Sequence, residues 1–366
     1  MQYTTLANQG VQHLSPYQAG KPIEELEREL GISNIVKLAS NENPFGFPES
    51  AKKAIEKALN DLTRYPDANG FYFKQIIAQK FAVELNQITL GNGSNDLLEL
   101  IAHTFASEQD EVIFSQYAFI VYPLVTQAIN AKAVVIPAQN YGHDLEGFLA
   151  AITPKTKLIY IANPNNPTGT FLTHQQIADF LAKVPKNVIV VLDEAYTEFT
   201  LPSERVDSFA LLKQFSNLVI CRTLSKAYGL AGLRIGYAVS NSEIADLFNR
   251  VRQPFNCNSL ALAAAVAVLQ DDDFIQNVAE NNRQEMLRYE KFFEQQGLQY
   301  IKSKGNFITL DLNQPAGPIY QKLLEQGVIV RPIGVYGMPN HLRISIGLPE
   351  ENDRFFEALS KVLSQS

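Results

Sequence analysis

From residue 88 onward the chain keeps one rhythm: a short apolar, β-branched run, a turn rich in glycine or asparagine, then an amphipathic stretch of helical period. The strand-like runs fall at 88–90, 111–114, 133–136, 158–161, 188–192, 217–221 and 234–239. Helical periods occupy 95–105, 119–128, 144–151 and 173–183. Apolar strands that alternate with helices predict a mostly parallel sheet with both faces covered. The expected fold is therefore α/β, with a large domain built on a seven-stranded, mostly parallel sheet between helices. Hydrophobic residues make up 46% of the 366, enough for a core of that size.

The flanks read differently. Pro22 followed by Ile-Glu-Glu-Leu-Glu-Arg-Glu-Leu30 predicts a short helix that stops at Gly31. Residues 35–38 read as a strand, 40–48 as a Pro/Gly loop, and 49–60 and 71–84 as amphipathic helices. After residue 259 the pattern turns helical over 260–270 and 272–296. Short strands at 306–310, 328–330 and 341–345 follow, with helices near 316–326 and 350–364. That predicts a smaller α+β domain. The expected division is 46–270 for the large domain, and 1–45 together with 271–366 for the small one.

Several classes are disfavoured. A net charge of −7 without a basic run argues against nucleic acid. The five histidines lack ligand spacing, and Cys221 and Cys257 have no CxxC partner, so no metal is expected and a reducing compartment is. No apolar run is long enough to cross a membrane. No signal-peptide pattern opens the chain, and a cytoplasmic location is expected.

The chemistry concentrates in Thr223-Leu-Ser-Lys-Ala-Tyr-Gly-Leu-Ala-Gly-Leu-Arg234. Lys226 is its one lysine, on a connection between two strands, where α/β proteins place their sites. A partly desolvated lysine loses its proton readily and attacks carbonyls. The hydroxyls of Thr223 and Ser225, with Arg234, suit a phosphate. Lysine plus phosphate site describes a pocket for pyridoxal phosphate. Gly91-Asn-Gly-Ser-Asn-Asp96 links a strand to a helix, read as capped by Ser94 or Asn95; its N–H groups suit a phosphate or merely a capped helix. Asp193 ends an apolar strand and needs a partner: the protonated ring nitrogen of that cofactor, a helix end or a salt bridge. Asn163-Pro-Asn-Asn-Pro-Thr-Gly169 is a stiff turn that would aim Asn166 inward. Tyr117 is a candidate for stacking on a ring, Tyr196 for bonding its hydroxyl, and Arg343 for gripping a carboxylate.

In order and spacing this set resembles the fold-type I pyridoxal-phosphate enzymes, the class I/II aminotransferases, and among them the histidinol-phosphate aminotransferase family. The resemblance rests on Lys37-Leu-Ala-Ser-Asn-Glu-Asn-Pro-Phe-Gly46, Arg64-Tyr-Pro-Asp67, Gly91-Asn-Gly-Ser-Asn95, Asn163-Pro-Asn-Asn-Pro-Thr-Gly169, Asp193-Glu-Ala-Tyr196, Thr223-Leu-Ser-Lys226, Ala231-Gly-Leu-Arg234, Arg252-Gln-Pro-Phe-Asn256 and Leu342-Arg-Ile-Ser-Ile-Gly347. It implies a fold-type I transferase in which Lys226 links covalently to the cofactor aldehyde and moves the proton. Asp193 would pair with the ring nitrogen, Tyr196 and Asn166 with the ring oxygen, and Tyr117 would stack. Ser94, Asn95, Thr223, Ser225 and Arg234 would hold the cofactor phosphate, helped by Tyr65 from a second subunit, so a homodimer is implied. Arg343 with Asn166 would bind the substrate carboxylate; Tyr17 and Arg331 would face the substrate side chain and its phosphate. The implied reaction is amino transfer between L-histidinol phosphate and 2-oxoglutarate. An aromatic amino-acid aminotransferase and a threonine-phosphate decarboxylase are the alternatives.

Overall fold

The computed structural model describes residues 3–17 and 19–364. Seven strands form the large sheet, in the order Ile88–Gly91, Gly236–Val239, Leu218–Thr223, Ile189–Asp193, Thr156–Ala162, Glu111–Ser115, Lys132–Ile136. Only Gly236–Val239 runs against its neighbours. The period-2 pattern of the central strands explains how both faces are covered. Val190 and Leu192 point into one core, beneath helices Glu49–Ala58, Phe71–Phe81 and Ser259–Val268. Ile189 and Val191 point into the other, beneath helices Ser94–Phe105, Val121–Ala128 and Ser242–Val251. Each such fully buried aliphatic side chain contributes about 1.5–3 kcal/mol.

A four-stranded antiparallel sheet, in the order Arg331–Pro332, His341–Ser345, Phe307–Asp311, Gln299–Ile301, carries a separate core with Tyr289, Phe293 and Phe355. The N-terminal strand Val36–Lys37 pairs in parallel with Val328–Ile329, so residues near 36 belong spatially with the C-terminal third. Helix Asp272–Gln295 joins the two bodies. Its first turn, with Phe274 and Ile275, packs on the large-sheet core, and Met286, Tyr289 and Phe293 pack on the small-sheet core.

Two local expectations need correction. Arg234 does not open a strand. It follows the 3-10 turn Ala231–Leu233 in the left-handed conformation, φ 57°, and the strand begins two residues later. The helix after Gly91 is capped by neither Ser94 nor Asn95. Its N-cap is Gly93, φ 83°, and no side chain caps it. Helices Ser208–Gln214 and Ser242–Val251 and strand Gln299–Ile301 were not read from the sequence. The two helices nonetheless carry N-cap signals: the Asp207 side chain accepts from Ala210 N–H and the Asn241 side chain from Glu243 N–H.

Candidate active site

Six strands of the large sheet run in one direction and end on the same edge, and the connections that leave this edge converge on one cavity of about 240 Å³. Its walls include Ser94, Asn95, Asn166, Asp193, Tyr196, Thr223, Ser225, Lys226 and Arg234. Arg331, Arg343 and Tyr17 complete it from outside the large sheet. Thus residues spread over more than three hundred positions meet because one sheet edge and one small-sheet edge face each other.

Lys226 Nζ donates to the Ser40 carbonyl at 3.0 Å and lies 5.8 Å from the Tyr196 ring centre. Burial, then the positive charges of Arg343 and Arg234, lower its pKa to about 8. Such an amine gives up its proton near neutral pH far more readily than a surface lysine. Asp193 behaves in the opposite sense: burial is the largest cause of its rise to about 6. The Tyr122 hydroxyl donates to its Oδ2 at 2.7 Å and the Ala195 N–H to its Oδ1 at 3.3 Å. No cationic side chain forms a salt bridge with it among the described residues. A carboxylate buried with only neutral donors is stabilised by a cation brought in from outside.

The Tyr196 hydroxyl accepts from Asn41 Nδ2 at 3.0 Å and from Asn166 Nδ2 at 3.2 Å. With both amides donating, its own proton is left to point elsewhere; burial raises its pKa to about 12. Asn166 turns its oxygen to Arg343, whose Nη1 donates at 2.6 Å, while Nη2 donates to the Ala39 carbonyl at 2.8 Å. The buried Nε of Arg343 has no partner.

At the other end, Thr223 Oγ1 donates to Ser225 Oγ at 3.0 Å, and Arg234 Nη1 donates to the same oxygen at 3.2 Å. Beside them stands the uncapped first turn of helix Ser94–Phe105. Gly93 lets the guanidinium close in: a Cβ there would lie 2.4 Å from Arg234 Nη2. Hydroxyls, a guanidinium and free N–H groups at a helix start together form a phosphate cradle. These residues fit the group the sequence implied: a phosphate at the cradle, a cationic ring nitrogen at Asp193, an oxygen near Tyr196 and an aldehyde carbon near Lys226.

The substrate side is built from cross-strand partners. Arg331 and Arg343 sit directly opposite each other on adjacent antiparallel strands, and both reach the cavity. Like charges in that position are destabilising. Arg331 also lies 5.7 Å from the Tyr17 ring centre.

Two expected residues sit elsewhere. Tyr117 does not line the cavity; its ring lies 5.8 Å from Tyr141 and packs on the small cluster of Ile301, Ile333 and Met338. Phe119, two residues on, lines the cavity instead, as do Tyr17, Tyr196 and Tyr336. Tyr65 is 82% exposed, stacked on Phe255, and does not line this chain's own cavity. The sequence reading also missed Tyr122 and the roles of Asn41 and the Ser40 carbonyl. Asn41 and Ser40 lie inside a motif already singled out, so proximity to Asn43-Pro44 was an available signal; for Tyr122 there was none.

Comparison with known proteins agrees with this geometry. The family model for aminotransferase class I and II matches residues 33–359. A relative from Haemophilus influenzae (strain 86-028NP), histidinol-phosphate aminotransferase 2, is 78% identical over 363 residues, 99% of each chain. The protein of the same name from Pasteurella multocida is 76% identical over 99% of this chain and all of its own. Among solved structures, histidinol-phosphate aminotransferase from Sinorhizobium meliloti, in complex with pyridoxal-5'-phosphate, superposes with a TM-score of 0.90. It is 30% identical, covering 98% of this chain and 97% of its own. With a family match across most of its length and relatives this similar end to end, the chain belongs to the class I and II aminotransferases.

Proposed function

We propose that this enzyme uses pyridoxal 5'-phosphate to transfer an amino group between L-histidinol phosphate and 2-oxoglutarate. One observation carries the reading: Lys226, Asp193 and the Arg331–Arg343 pair surround a single cavity beside a phosphate cradle. The full-length relatives that bear that activity in their names support the choice of substrate.

When bound, the cofactor supplies an aldehyde that takes the amino group and a ring that delocalises the electron pair left on the substrate carbon. The chain does the rest. Thr223, Ser225, Arg234 and the first turn from Ser94 and Asn95 hold the phosphate. Asp193, steadied by Tyr122, would keep the ring nitrogen protonated. Tyr196 and Asn166 would bond the ring oxygen. Lys226 removes the proton from the carbon that bears the substrate amino group and returns one in the reverse half-reaction. Arg343, held by Asn166 and Ala39, would present its guanidinium to a carboxylate or its equivalent. Arg331 and Tyr17 face the phosphate of one substrate and the distal carboxylate of the other; a guanidinium serves both.

The proposed division is 46–270 against 1–45 with 271–366; the separate cores support it, with helix Asp272–Gln295 as the seam. The exposed Tyr65–Phe255 pair, flanked by exposed Leu62, Phe71 and Tyr72, suits a second copy of the chain in a homodimer. Sedimentation should then give two chains per particle, and Tyr65→Ala should weaken cofactor retention. A cytoplasmic location goes with this reading. Among the described residues no helix is long and apolar enough to cross a membrane.

The deciding experiment is steady-state kinetics with 2-oxoglutarate and two donors. L-histidinol phosphate should exceed L-phenylalanine in kcat/KM by about 100-fold or more, the size expected when a buried charged site loses its partner. A higher value for phenylalanine would make the enzyme an aromatic aminotransferase. Release of carbon dioxide without amino transfer would make it a decarboxylase.

A further inference from the structure

Hydrogen bonds from both bodies of the enzyme end on Tyr196. Its ring packs edge-on against Phe307, 5.1 Å between centres, and the residue lines the catalytic cavity. Two amides donate to its hydroxyl: Asn166 from the large body and Asn41 from the N-terminal segment. Turned end for end, either amide would offer its oxygen instead and take the phenol proton for itself. What fixes the two amides therefore decides where that proton goes.

For Asn166 the fixing group is Arg343. A guanidinium has no acceptor, so the 2.6 Å bond from Arg343 Nη1 must meet the amide oxygen, and the amide nitrogen is left for Tyr196. For Asn41 it is Ser345, two residues further along the same strand, His341–Ser345, and so on the same face. Ser345 Oγ accepts from the Asn41 backbone N–H at 2.8 Å and donates its one proton to Asn41 Oδ1 at 2.9 Å. Among the described residues that proton bonds no other acceptor. Asn41 is 1% exposed and Ser345 4%, so reversing the amide would leave a buried hydroxyl proton unpaired. The peptide of Asn41 is held as well. Its carbonyl accepts from Asn306 Nδ2 at 3.0 Å, and its φ is left-handed at 55°.

Two residues of one strand thus reach the phenol by parallel routes, Arg343 through Asn166 and Ser345 through Asn41. With both amide nitrogens turned to it, the Tyr196 oxygen is filled as an acceptor, and its proton is left to point into the cavity. We propose that Ser345 is a positioning residue for the reaction: by holding the Asn41 amide, it directs the Tyr196 proton to the ring oxygen of the bound cofactor. This rests on the cofactor reading above and not on the choice of substrate. A donor on that oxygen draws electron density away from the nitrogen that the cofactor shares with Lys226, which eases loss of the proton there. Without the serine hydroxyl, the Asn41 amide is free to turn its oxygen to Tyr196. The phenol proton then goes to Asn41, and the ring oxygen loses its donor.

The test is a pH titration of the visible absorbance of the cofactor-loaded enzyme, read without substrate. Ser345→Ala should move the midpoint upward by about half a pH unit or more. Tyr196→Phe, which removes the proton outright, should move it further in the same direction. Ser345→Cys, of nearly the same size but a weaker donor, should fall between wild type and Ser345→Ala. In the Tyr196→Phe background, Ser345→Ala should add nothing, whereas a general loosening of the site would still show there. The charged groups near the phenol, Arg343, Asp193 and Lys226, are the same in every variant. An unchanged or lowered midpoint in Ser345→Ala would overturn the proposal. So would an equal rise with and without the Tyr196 hydroxyl. A wild-type enzyme with no visible band after loading would overturn the cofactor reading itself, and this proposal with it.

Discussion

Lys226 and Asp193 face the same space with proton affinities pushed in opposite directions by one cause, burial. Each is costly alone in the folded chain and each is relieved by the same incoming group. Lys226→Ala should therefore lower amino transfer by about 1,000-fold or more while cofactor still binds, measured by single-turnover kinetics beside equilibrium dialysis. The substrate pair makes a separate prediction. Arg331→Gln should raise KM for histidinol phosphate by about 10- to 100-fold, the loss of a charge-assisted bond. KM for glutamate should change less, because Arg343 still grips its other carboxylate. How legible these residues were depended on where their partners lie. Asp193 announced itself, since a carboxylate closing an apolar strand needs an explanation. Tyr122, which holds it, is an ordinary helical aromatic 71 positions away and becomes visible only when the strands are in register. The Arg331–Arg343 pairing likewise depends on a strand register that composition does not encode.

Among the elements, the start of helix Ser94–Phe105 carries the clearest sequence-to-site link. The motif promised a capped helix beside a phosphate; the structure shows a first turn with no side-chain cap, its donors left available. Gly93 is required twice, for its positive φ and for the space Arg234 fills. Gly93→Ala should cost about 1–3 kcal/mol of stability, because φ 83° with ψ 169° is a backbone region essentially reserved to glycine, read by denaturant titration. It should also weaken cofactor affinity by displacing the guanidinium, read by fluorescence titration. The strands and the mostly parallel sheet followed from alternation, because buried parallel strands leave continuous apolar runs. Helices Ser208–Gln214 and Ser242–Val251 went unread although Asp207 and Asn241 mark their starts. The left-handed Arg234 was unreadable for a different reason. That conformation is rare for arginine and is fixed by contacts with distant residues.

At the scale of the whole molecule, the catalytic cavity exists only where the two bodies meet, and the N-terminal segment crosses between them. Gly10 lies against the backbone of residues 127–130, and Gly20 against Ala39 and Arg331. The burial of Asp193 gives the assembled protein a pH signature. Its folded pKa, about 6, exceeds the ordinary 3.8. Between those values the folded chain keeps a proton that the unfolded chain has lost, so stability falls as pH rises through this window. The cofactor-free enzyme at pH 8 then bears a cost of about 3 kcal/mol from this one group. Asp193→Asn should raise the melting temperature of the cofactor-free protein at pH 8, flatten this part of its pH dependence, and abolish activity. A lower melting temperature at pH 8 would show that the buried carboxylate is not a burden.

The facing arginines also have a practical side. Two guanidiniums kept opposite each other welcome any small dianion that reaches them. Phosphate or sulfate in the assay medium will act as a competitor and, in the resting enzyme, as a thermal stabiliser. Rates measured in phosphate and in an amine or zwitterionic buffer at matched ionic strength will differ, and the medium chosen will set the Michaelis constants obtained.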